Sequence, residues 1–486
     1  MLRALFPVLA VLSSILTVFS LTFVVPIIFA WWAQEPTLSS FIWGFAITFL
    51  SGVGGYVLTR PFHRELKIRD GFLLISLVWS VLPAFTTIPL LIYMGELSFT
   101  DAYFEMVSSL TTTGATVFSN LDGLPGSINL WRCFLPWIGG LGIVIFAVSV
   151  LPLLGVGGSQ VFKAETTGPI KDNKLAPRIT ETARLLYSTY LIVSIACLFS
   201  YKSAGMSWFD AFLHTGTTVS LSGFSSHDAS FGYWNSPAIE MVAVTFMLLA
   251  AINFSTHFSV LRSRSFKPYR KCPEAKWTIV CILVAVIVGA FYLVEKGIYN
   301  SFTESFRFVL FNTVSVATTA GFANTNYDQW PIFVPLLMIF LSMFCSAAGS
   351  TGGGIKMIRA VLLVKQSLRE VSKTLHPRAI NPVRISDAPV NHQIIYGVLA
   401  FMLMYGATII FITMLLVFSG LDAISALTGT IGMINCMGPG LNLLGPANNF
   451  SVLTDFQTWL CSLTMILGRV ELFPVLVLLT PEFWRK

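Results

Sequence analysis

Four short polar stretches could bind a dehydrated cation through their backbone carbonyl oxygens. They are Thr111-Thr112-Thr113-Gly114, Ser220-Leu221-Ser222-Gly223, Thr318-Thr319-Ala320-Gly321 and Asn435-Cys436-Met437-Gly438. The closing glycine of each stretch permits a positive φ, which lets successive carbonyl groups point the same way. Rings of such carbonyls replace the hydration shell of potassium in channel filters. None of the four stretches contains Asp or Glu, so a carboxylate filter for calcium or magnesium is not expected.

A short amphipathic segment precedes each stretch. The four segments cover residues 101–110, 207–218, 301–316 and 421–433. As helices, they would aim their partially negative C-terminal ends at the stretch that follows, which favours a cation. Non-helical backbone at membrane depth is tolerated only inside protein or beside water. One copy would be an ordinary Thr/Gly turn, but four copies at matched positions predict four loops that line one ion path.

The composition places these loops in a membrane protein. Hydrophobic residues make up 55% of the 486 residues and charged residues only 11%, against about 25% charged residues in soluble proteins. The net charge of +7 does not indicate nucleic-acid binding, because most Lys and Arg residues fall at the termini and in four connections, 60–69, 162–184, 262–276 and 356–384. Such clustering is typical of cytoplasmic loops. The seven cysteines lack the spacing of a disulfide framework or a zinc site.

The apolar runs predict an all-α polytopic membrane protein with an internal repeat. Two leading spans, 4–32 and 41–58, form an N-terminal domain of residues 1–70. Four units follow, at 71–160, 161–265, 266–385 and 386–486, each with a span, a short helix, a loop and a second span. The first spans cover 71–95, 183–204, 277–297 and 394–419, and the second spans cover 131–154, 236–260, 331–364 and 454–480. All four loops lie opposite the basic connections, so the units are parallel, both termini are cytoplasmic, and pseudo-fourfold symmetry around a central pore is expected.

The second span of the third unit, residues 331–364, is too long for one straight crossing. Its 34 residues would reach about 51 Å as a helix, against a hydrocarbon core of about 30 Å. The run Gly349-Ser350-Thr351-Gly352-Gly353-Gly354 is the expected break, because each interior glycine weakens a helix. We predict an intramembrane gating loop on the cytoplasmic side of the filter; a tightly packed helix kink is the alternative. A phosphate-binding loop is excluded, because Ile355 separates Gly354 from Lys356.

Arg469 falls in the middle of the last predicted span, residues 454–480. A charge at that depth is a functional hypothesis by default. We expect Arg469 to face the pore axis, to donate to carbonyls of the 349–354 loop and to repel cations until that loop moves. Glu471 would not face it, because residues two apart lie on different sides of a helix. A structural ion pair between helices is the alternative.

Residues 357–376 form an amphipathic, basic segment after the glycine-rich run. Such a segment is typical of a helix that lies at the inner membrane face. It could equally form a docking surface for a cytosolic subunit, and the sequence leaves both interpretations open.

Two other classes of protein were weighed. An enzyme is not expected, because the chain has no His-Glu-x-x-His or Gly-x-Ser-x-Gly motif, and His214 and His227 are better placed to line an outer vestibule than to catalyse. A secondary transporter would commonly show inverted repeats, whereas the charge pattern predicts parallel ones. Potassium transport coupled to H⁺ or Na⁺ remains the alternative function.

The four stretches and several other segments resemble the bacterial Trk/Ktr/HKT potassium transporter superfamily, and most closely its TrkH-type membrane subunits. The other matching segments are Ala348-Gly349-Ser350-Thr351-Gly352-Gly353-Gly354-Ile355-Lys356, His376-Pro377-Arg378-Ala379, Gly468-Arg469-Val470-Glu471-Leu472 and Leu479-Thr480-Pro481-Glu482-Phe483-Trp484-Arg485-Lys486. The resemblance covers nearly the whole chain, including the two leading spans.

This resemblance carries further expectations. It implies a potassium-selective pore in the bacterial inner membrane, with K⁺ as the transported ion and no organic cofactor on this chain. It also implies a homodimer surrounded by membrane lipid, and a cytosolic partner ring of TrkA-type nucleotide-binding subunits. The gating role of the 349–354 loop is implied as well.

Overall fold

The computed structural model describes residues 5–62, 64, 66–142, 179–378, 381–385 and 388–485. Helices dominate these residues, as predicted. The leading pair runs from Phe6–Phe19 through a 3₁₀ turn, Ser20–Phe23, into Val24–Trp32, and returns as Leu38–Thr59. The two helices pack closely at Gly52, where an added Cβ would lie 2.6 Å from the backbone nitrogen of Thr17.

Each of the four units that follow begins with a long apolar helix. These first helices are Ile68–Thr86 with its continuation Ile88–Tyr93, then Ile179–Ser203, Pro273–Glu295 and His392–Phe418. Their bounds match the predicted first spans to within a few residues. The boundary predicted between the first two units, at 160, lies outside the described residues, as does most of the predicted basic connection 162–184.

A short, largely buried helix comes next in every unit, and we call these four the loop helices. They are Phe99–Leu110, Trp208–Ser220, Phe302–Ala317 and Ala423–Ile434. At about 1.5 Å per residue, helices of 12 to 16 residues are too short to cross a bilayer. Each begins at a residue whose side chain accepts a backbone N–H of the first turn, namely Ser98, Ser207, Ser301 and Asp422. These caps fix where each helix starts.

The second helix of every unit, which we call the return helix, departs from a continuous α-helix: the first changes to a π turn, and the other three are broken. Gly126–Trp137 passes into a π turn, Ile138–Gly142; Pro237–Ala250 bends by 96° into Phe254–Ser263; Phe333–Ser342 stops well before Met357–Leu375; and Asp455–Arg469 is separated from Phe473–Leu478. The sequence predicted only the third break. Continuous spans over 236–260 and 454–480 were wrong, and the predicted span 131–154 continues outside the described residues after 142.

The breaks also change the number of continuous spans. Six helices in the described residues are long and apolar enough to cross a membrane, or seven if the bent pair counts as one span. The sequence predicts ten crossings. The difference comes from the return helices, since none of their pieces within the described residues is both long and apolar enough to cross alone, and the first is described only to residue 142. The chain is nevertheless a multi-pass membrane protein.

The smaller elements lie on the connections. Short helices cover Lys267–Lys271 and Pro481–Trp484, and 3₁₀ turns cover Arg60–Phe62, Leu121–Gly123, Ser230–Tyr233, Tyr327–Gln329, Asn442–Leu444 and Phe450–Val452. Two strands, Arg384–Ile385 and Ala388–Pro389, form an antiparallel hairpin with Arg384 opposite Pro389. Sequence reasoning did not predict this hairpin.

Most of the buried apolar side chains fall into two large clusters. One joins the leading helices to the first and fourth units and contains Trp79, Phe104 and Trp131. The other joins the second and third units and contains Phe231 and Tyr327. Leu110 belongs to the first cluster and Leu221 to the second. The four loops are therefore held from both sides by packed side chains.

Candidate ion-binding loops and their gate

The four polar stretches share one backbone conformation. Two positions before each closing glycine, a non-glycine residue is left-handed: Thr112, Leu221, Thr319 and Cys436, with φ between 51° and 65°. The glycines themselves, Gly114, Gly223, Gly321 and Gly438, have φ between 74° and 93°. A left-handed non-glycine residue costs roughly 1–2 kcal/mol. Strain that recurs at the same position in four loops is a sign of function.

Each stretch is fixed to the end of its loop helix by the same pair of hydrogen bonds. In the first unit, the Thr113 N–H donates to the Ser108 carbonyl at 2.8 Å and the Thr112 N–H donates to the Ser109 carbonyl at 3.1 Å. In the other units, the bonds that correspond to the one from Thr113 to Ser108 run from Ser222 to Thr217, from Ala320 to Ser315 and from Met437 to Gly432, at 2.8 to 2.9 Å. This pattern is the Schellman motif, which satisfies the last helix carbonyls.

The four stretches meet each other in chain order. A Cβ on Gly223 would lie 2.5 Å from the Ala320 carbonyl oxygen, and one on Gly438 would lie 2.6 Å from that of Thr113. Gly114 and Gly321 abut the carbonyls of Ser222 and Met437 in the same way. Every closing glycine therefore contacts the carbonyl that precedes the glycine of another loop. The contacts run from the first loop to the second, third and fourth, and back to the first.

Hydrogen bonds between the segments that follow the glycines close the same ring. Phe231 donates its N–H to the Ala323 carbonyl at 3.0 Å, and Phe450 donates its N–H to the Thr116 carbonyl at 2.8 Å. The remaining two junctions use carboxylates: the Leu121 N–H donates to Asp228 at 2.8 Å and the Asn442 N–H donates to Asp328 at 2.9 Å. Each loop is therefore tied to both of its neighbours.

A buried ion pair that sequence reasoning missed supports the first loop. Arg132 Nε lies 2.7 Å from Glu105 Oε1, and neither side chain is more than 1% exposed. Glu105 also accepts the Val117 N–H at 2.9 Å, and Arg132 donates to the Thr116 hydroxyl at 3.1 Å. A buried charge must be paired, so this pair holds the segment after Gly114 in place. The detectable signal was an arginine inside the apolar return helix.

A second pair joins the second and third units. Arg307 on the third loop helix contacts Glu240 on the second return helix at 2.7 Å. It also donates to the Asn235 side-chain oxygen at 2.9 Å. Glu240 is nearly fully buried, whereas Arg307 is partly exposed. This pair therefore anchors the outside of the loop ring more weakly than the Glu105–Arg132 pair does.

The predicted gating loop lies directly against the loop ring. The non-helical segment is longer than the glycine run, because it extends over residues 343–356. Gly353 donates its N–H to the Thr319 hydroxyl at 2.9 Å, and Thr351 donates its hydroxyl to the Val219 carbonyl at 3.0 Å. A Cβ on Gly352 would lie 3.0 Å from the Thr318 carbonyl oxygen. The run from Gly349 through Ser350 to Gly354 thus passes under the second and third stretches.

Arg469 contacts this loop, but it is not in the middle of a continuous span. It is the last residue of Asp455–Arg469, where the cation faces the negative end of the helix dipole. Its guanidinium donates to the Thr351 carbonyl at 3.1 Å and to the carbonyls of Gly139 and Gly140 at 2.5 and 2.6 Å. Arg469 therefore connects the loop to the π turn of the first return helix.

The other charges near the 343–356 segment have their own partners. Glu471 lies beyond the end of the helix Asp455–Arg469 and pairs with Arg359 at 2.6 Å. Lys356 is buried and donates its ammonium group to the Gly352 carbonyl. Sequence reasoning noted Lys356 only when it excluded a phosphate-binding loop. The lysine places a buried cation within the loop itself, in addition to the half-buried Arg469 beside it.

The two histidines beside the second stretch occupy different environments. His214 is fully buried, between the Asp210 carbonyl at 2.9 Å and the Ser225 hydroxyl at 3.0 Å. It therefore does not line a vestibule, and that expectation was wrong. His227 is partly exposed, contacts the Asp122 carboxylate, and has its Nε2 atom 3.4 Å from Asp210.

The ring of His227 also stacks on Tyr233 with centroids 3.6 Å apart. Burial lowers the pKa of His227, but the hydrogen bonds and charges of Asp210 and Asp122 outweigh it and raise the pKa above its ordinary value. This cluster joins the segments that follow the first and second stretches.

The chain is similar to known transport proteins over its whole length. The family model described as "TrkH: Cation transport protein" matches residues 37–486. Proteins named "Trk system potassium uptake protein TrkH" are 39% identical in Vibrio parahaemolyticus and 40% identical in Halomonas elongata, over 99% of both chains in each case. A protein named "Trk system potassium uptake protein TrkG" in Escherichia coli is 37% identical over 96% of both chains.

The fold agrees with these matches. A crystal structure of the potassium transporter TrkH from Vibrio parahaemolyticus superposes on this chain with a TM-score of 0.89 at 37% identity, over 100% of both chains. The relatives are named as uptake proteins, which confirms the prediction that the chain is not an enzyme. Family model, relatives and fold agree: the chain belongs to the TrkH family of cation transport proteins.

Proposed function

We propose that this protein takes up potassium across the bacterial inner membrane through the ring of four loops. The observation that carries the proposal is the contact cycle in which each closing glycine abuts the carbonyl before the next loop's glycine. Backbone carbonyls arranged around one axis can replace the hydration shell of K⁺. The named potassium uptake function of the relatives points the same way.

The four loop helices support cation selectivity by their direction. Three of the helices end at the residue just before their stretch, and the second ends at Ser220, the first residue of its stretch. Four partially negative helix ends therefore face the ring. The stretches carry no carboxylate. A strong carboxylate field would favour a divalent ion, whereas carbonyl dipoles suit a monovalent one.

The gate in this proposal is the segment 343–356. It lies under the ring, held by Arg469 at the Thr351 carbonyl and by Lys356 at the Gly352 carbonyl. Two cations at that depth repel K⁺ as long as the segment stays in place. Flux then requires that the segment moves away from Thr319 and Val219, which breaks the hydrogen bonds at Gly353 and Thr351.

Regulation from the cytosol completes the proposal. The helix Met357–Leu375 follows the gate directly, and Val364, Leu368, Val371 and Leu375 form an exposed apolar row on it. Movement of this helix would pull on the 343–356 segment. The row suits either the inner membrane face or a protein partner. The homodimer and the TrkA-type nucleotide-binding subunits are part of the proposal on the strength of the family resemblance alone.

Uptake of ⁸⁶Rb⁺ into liposomes that contain this chain tests the proposal. Excess K⁺ should suppress the uptake, and excess Na⁺ or Li⁺ should not. A variant with the 349–354 run shortened should show greater flux than the unmodified chain. A folded shortened variant without flux would contradict the pore. Uptake that strictly requires a proton or sodium gradient would instead favour coupled secondary transport.

A further inference from the structure

A lateral cavity lies between the first and second units. Its volume is about 230 Å³. Its walls come from the first return helix and from two helices of the second unit, the first helix Ile179–Ser203 and the loop helix. Trp137, Leu191, Ile195, Leu198, Phe212 and Gly216 form most of the lining. None of these residues takes part in the ring of stretches or in the gate.

The cavity opens toward the lipid rather than toward the ion path. Leu191 and Ile195 fall in the middle of the candidate span Arg184–Ser203, which places them deep in the hydrocarbon layer. Their side chains are 38% and 47% exposed, and Phe212 across the opening is 44% exposed. The rim is thus continuous with the lipid-facing surface of the spans.

The chemistry of the lining selects a hydrocarbon ligand. The indole N–H of Trp137 is already bonded to the Ser194 hydroxyl at 3.0 Å. Thr215 carries the one lining hydroxyl without a hydrogen-bond partner in the described residues, and no charged side chain lines the space. An apolar cavity of about 150 Å³ stays dry and binds benzene. The present cavity is larger and is open to bulk lipid.

We propose that this cavity binds one acyl chain of a membrane lipid. The chain enters between Leu191, Ile195 and Phe212 and contacts the loop helix at Gly216. Here that helix also approaches the first return helix closely, since a Cβ on Gly216 would lie 3.0 Å from the Cys133 carbonyl oxygen. The same helix ends at Ser220, the first residue of the second stretch. The acyl chain therefore acts as a removable part of the packing behind that stretch.

Photolabelling in proteoliposomes tests the proposal. The full chain is reconstituted in phosphatidylethanolamine and phosphatidylglycerol with a trace of phospholipid that carries a diazirine near the middle of one acyl chain. After illumination, labelled peptides are identified by mass spectrometry. Label should concentrate on the segments around 133–137, 191–198 and 212–216, above the level found on other lipid-facing helices.

Variants that fill the cavity sharpen the test. Ile195→Trp and Leu198→Trp place a large ring at the rim, and both should lower labelling of the cavity segments several-fold. Ile192→Trp is the matched control, because Ile192 is on the same helix, is 51% exposed and does not line the cavity. Labelling of these segments that is no stronger than on other helices, or equal in all three variants, would overturn the proposal. Neither readout depends on ion flux, so the result is independent of the proposed function.

Discussion

Arg469 donates a hydrogen bond of 3.1 Å to the carbonyl oxygen of Thr351, across 118 positions of sequence. The same guanidinium reaches Gly139 and Gly140 in the first unit. One side chain therefore joins the end of the fourth return helix, the 343–356 segment and the π turn of the first return helix. If that segment is the gate, Arg469 holds the closed form.

Replacement of Arg469 by Ala should raise flux. Hydrogen bonds to a charged group contribute about 1.5–3 kcal/mol each, and about 1.4 kcal/mol is a factor of ten in an equilibrium constant. We therefore expect ⁸⁶Rb⁺ uptake to increase at least about tenfold. Arg469→Lys keeps the charge but loses the planar fork, and it should give an intermediate flux. Unchanged uptake in an Arg469→Ala protein of unchanged melting temperature would remove Arg469 from the gate.

Replacement of Gly223 by Ala should abolish the preference for potassium. Gly223 has a φ of 74° and its added Cβ would lie 2.5 Å from the Ala320 carbonyl oxygen, so both the loop and its neighbour must shift. Gly297→Ala is the matched control, because Gly297 has a φ of 71° but no atom within 4 Å of the added Cβ.

Both substitutions cost the same backbone strain, roughly 1–2 kcal/mol, and only Gly223→Ala disturbs the ring. The measurement is ⁸⁶Rb⁺ uptake with Na⁺ as competitor. Equal selectivity in the two variants would mean that the ring does not select the ion.

Replacement of Glu105 by Leu should strongly destabilise the protein. The change leaves the guanidinium of Arg132 buried without its carboxylate, and loss of one partner of a buried pair costs about 3–5 kcal/mol. The double variant Glu105→Leu with Arg132→Met should recover part of this loss, since no charge is left unpaired.

Asp70→Asn in the Arg64–Asp70 pair provides the comparison. Asn keeps a side-chain oxygen for the Lys67 N–H that Asp70 accepts, and Arg64 is about one-third exposed; pairs with a solvent-exposed partner contribute at most about 1 kcal/mol. Thermal unfolding in detergent gives the ranking. A melting temperature for Glu105→Leu as high as that of Asp70→Asn would show that the pair does not support the first loop.

The His227 cluster should make the junction of the first two loops depend on pH. Because its pKa is raised in the folded protein, the contribution of His227 to stability is fully present below its ordinary pKa of about 6.5. It is lost as the pH rises through the raised value. The groups that face it are Asp122, Asp210 and Tyr233.

The measurement is the melting temperature against pH from 5 to 9 for the unmodified chain and for His227→Gln. We expect the difference between the two curves to shrink as the pH rises. His214→Gln is a poor control, because His214 is buried. His392 is the exposed first residue of the helix His392–Phe418, so His392→Gln should leave the pH dependence unchanged. A difference that grows with pH would contradict the assignment of a protonated His227.

Local features of the sequence determined the parts of the fold that depend on local chemistry. Apolar length gave the first helices, and the short amphipathic segments gave the loop helices. The structure adds the caps Ser98, Ser207, Ser301 and Asp422, which fix where those helices start. The four glycines marked where the backbone needs a positive φ. The glycine run at 349–354 marked the break in the third return helix, because glycine weakens a helix wherever it occurs.

Only the tertiary structure decided which of these features meet. The breaks after Ala250 and Arg469 carry no glycine run. The first lies against the 343–356 segment, where the Ala347 N–H donates to the Ala251 carbonyl at 2.9 Å. The second packs against the end of the fourth loop helix, where a Cβ on Gly468 would collide with the Ile434 carbonyl. The Glu105–Arg132 pair depends on a contact between two helices. Such contacts depend on how whole helices pack, and a pattern within a single segment does not contain that information.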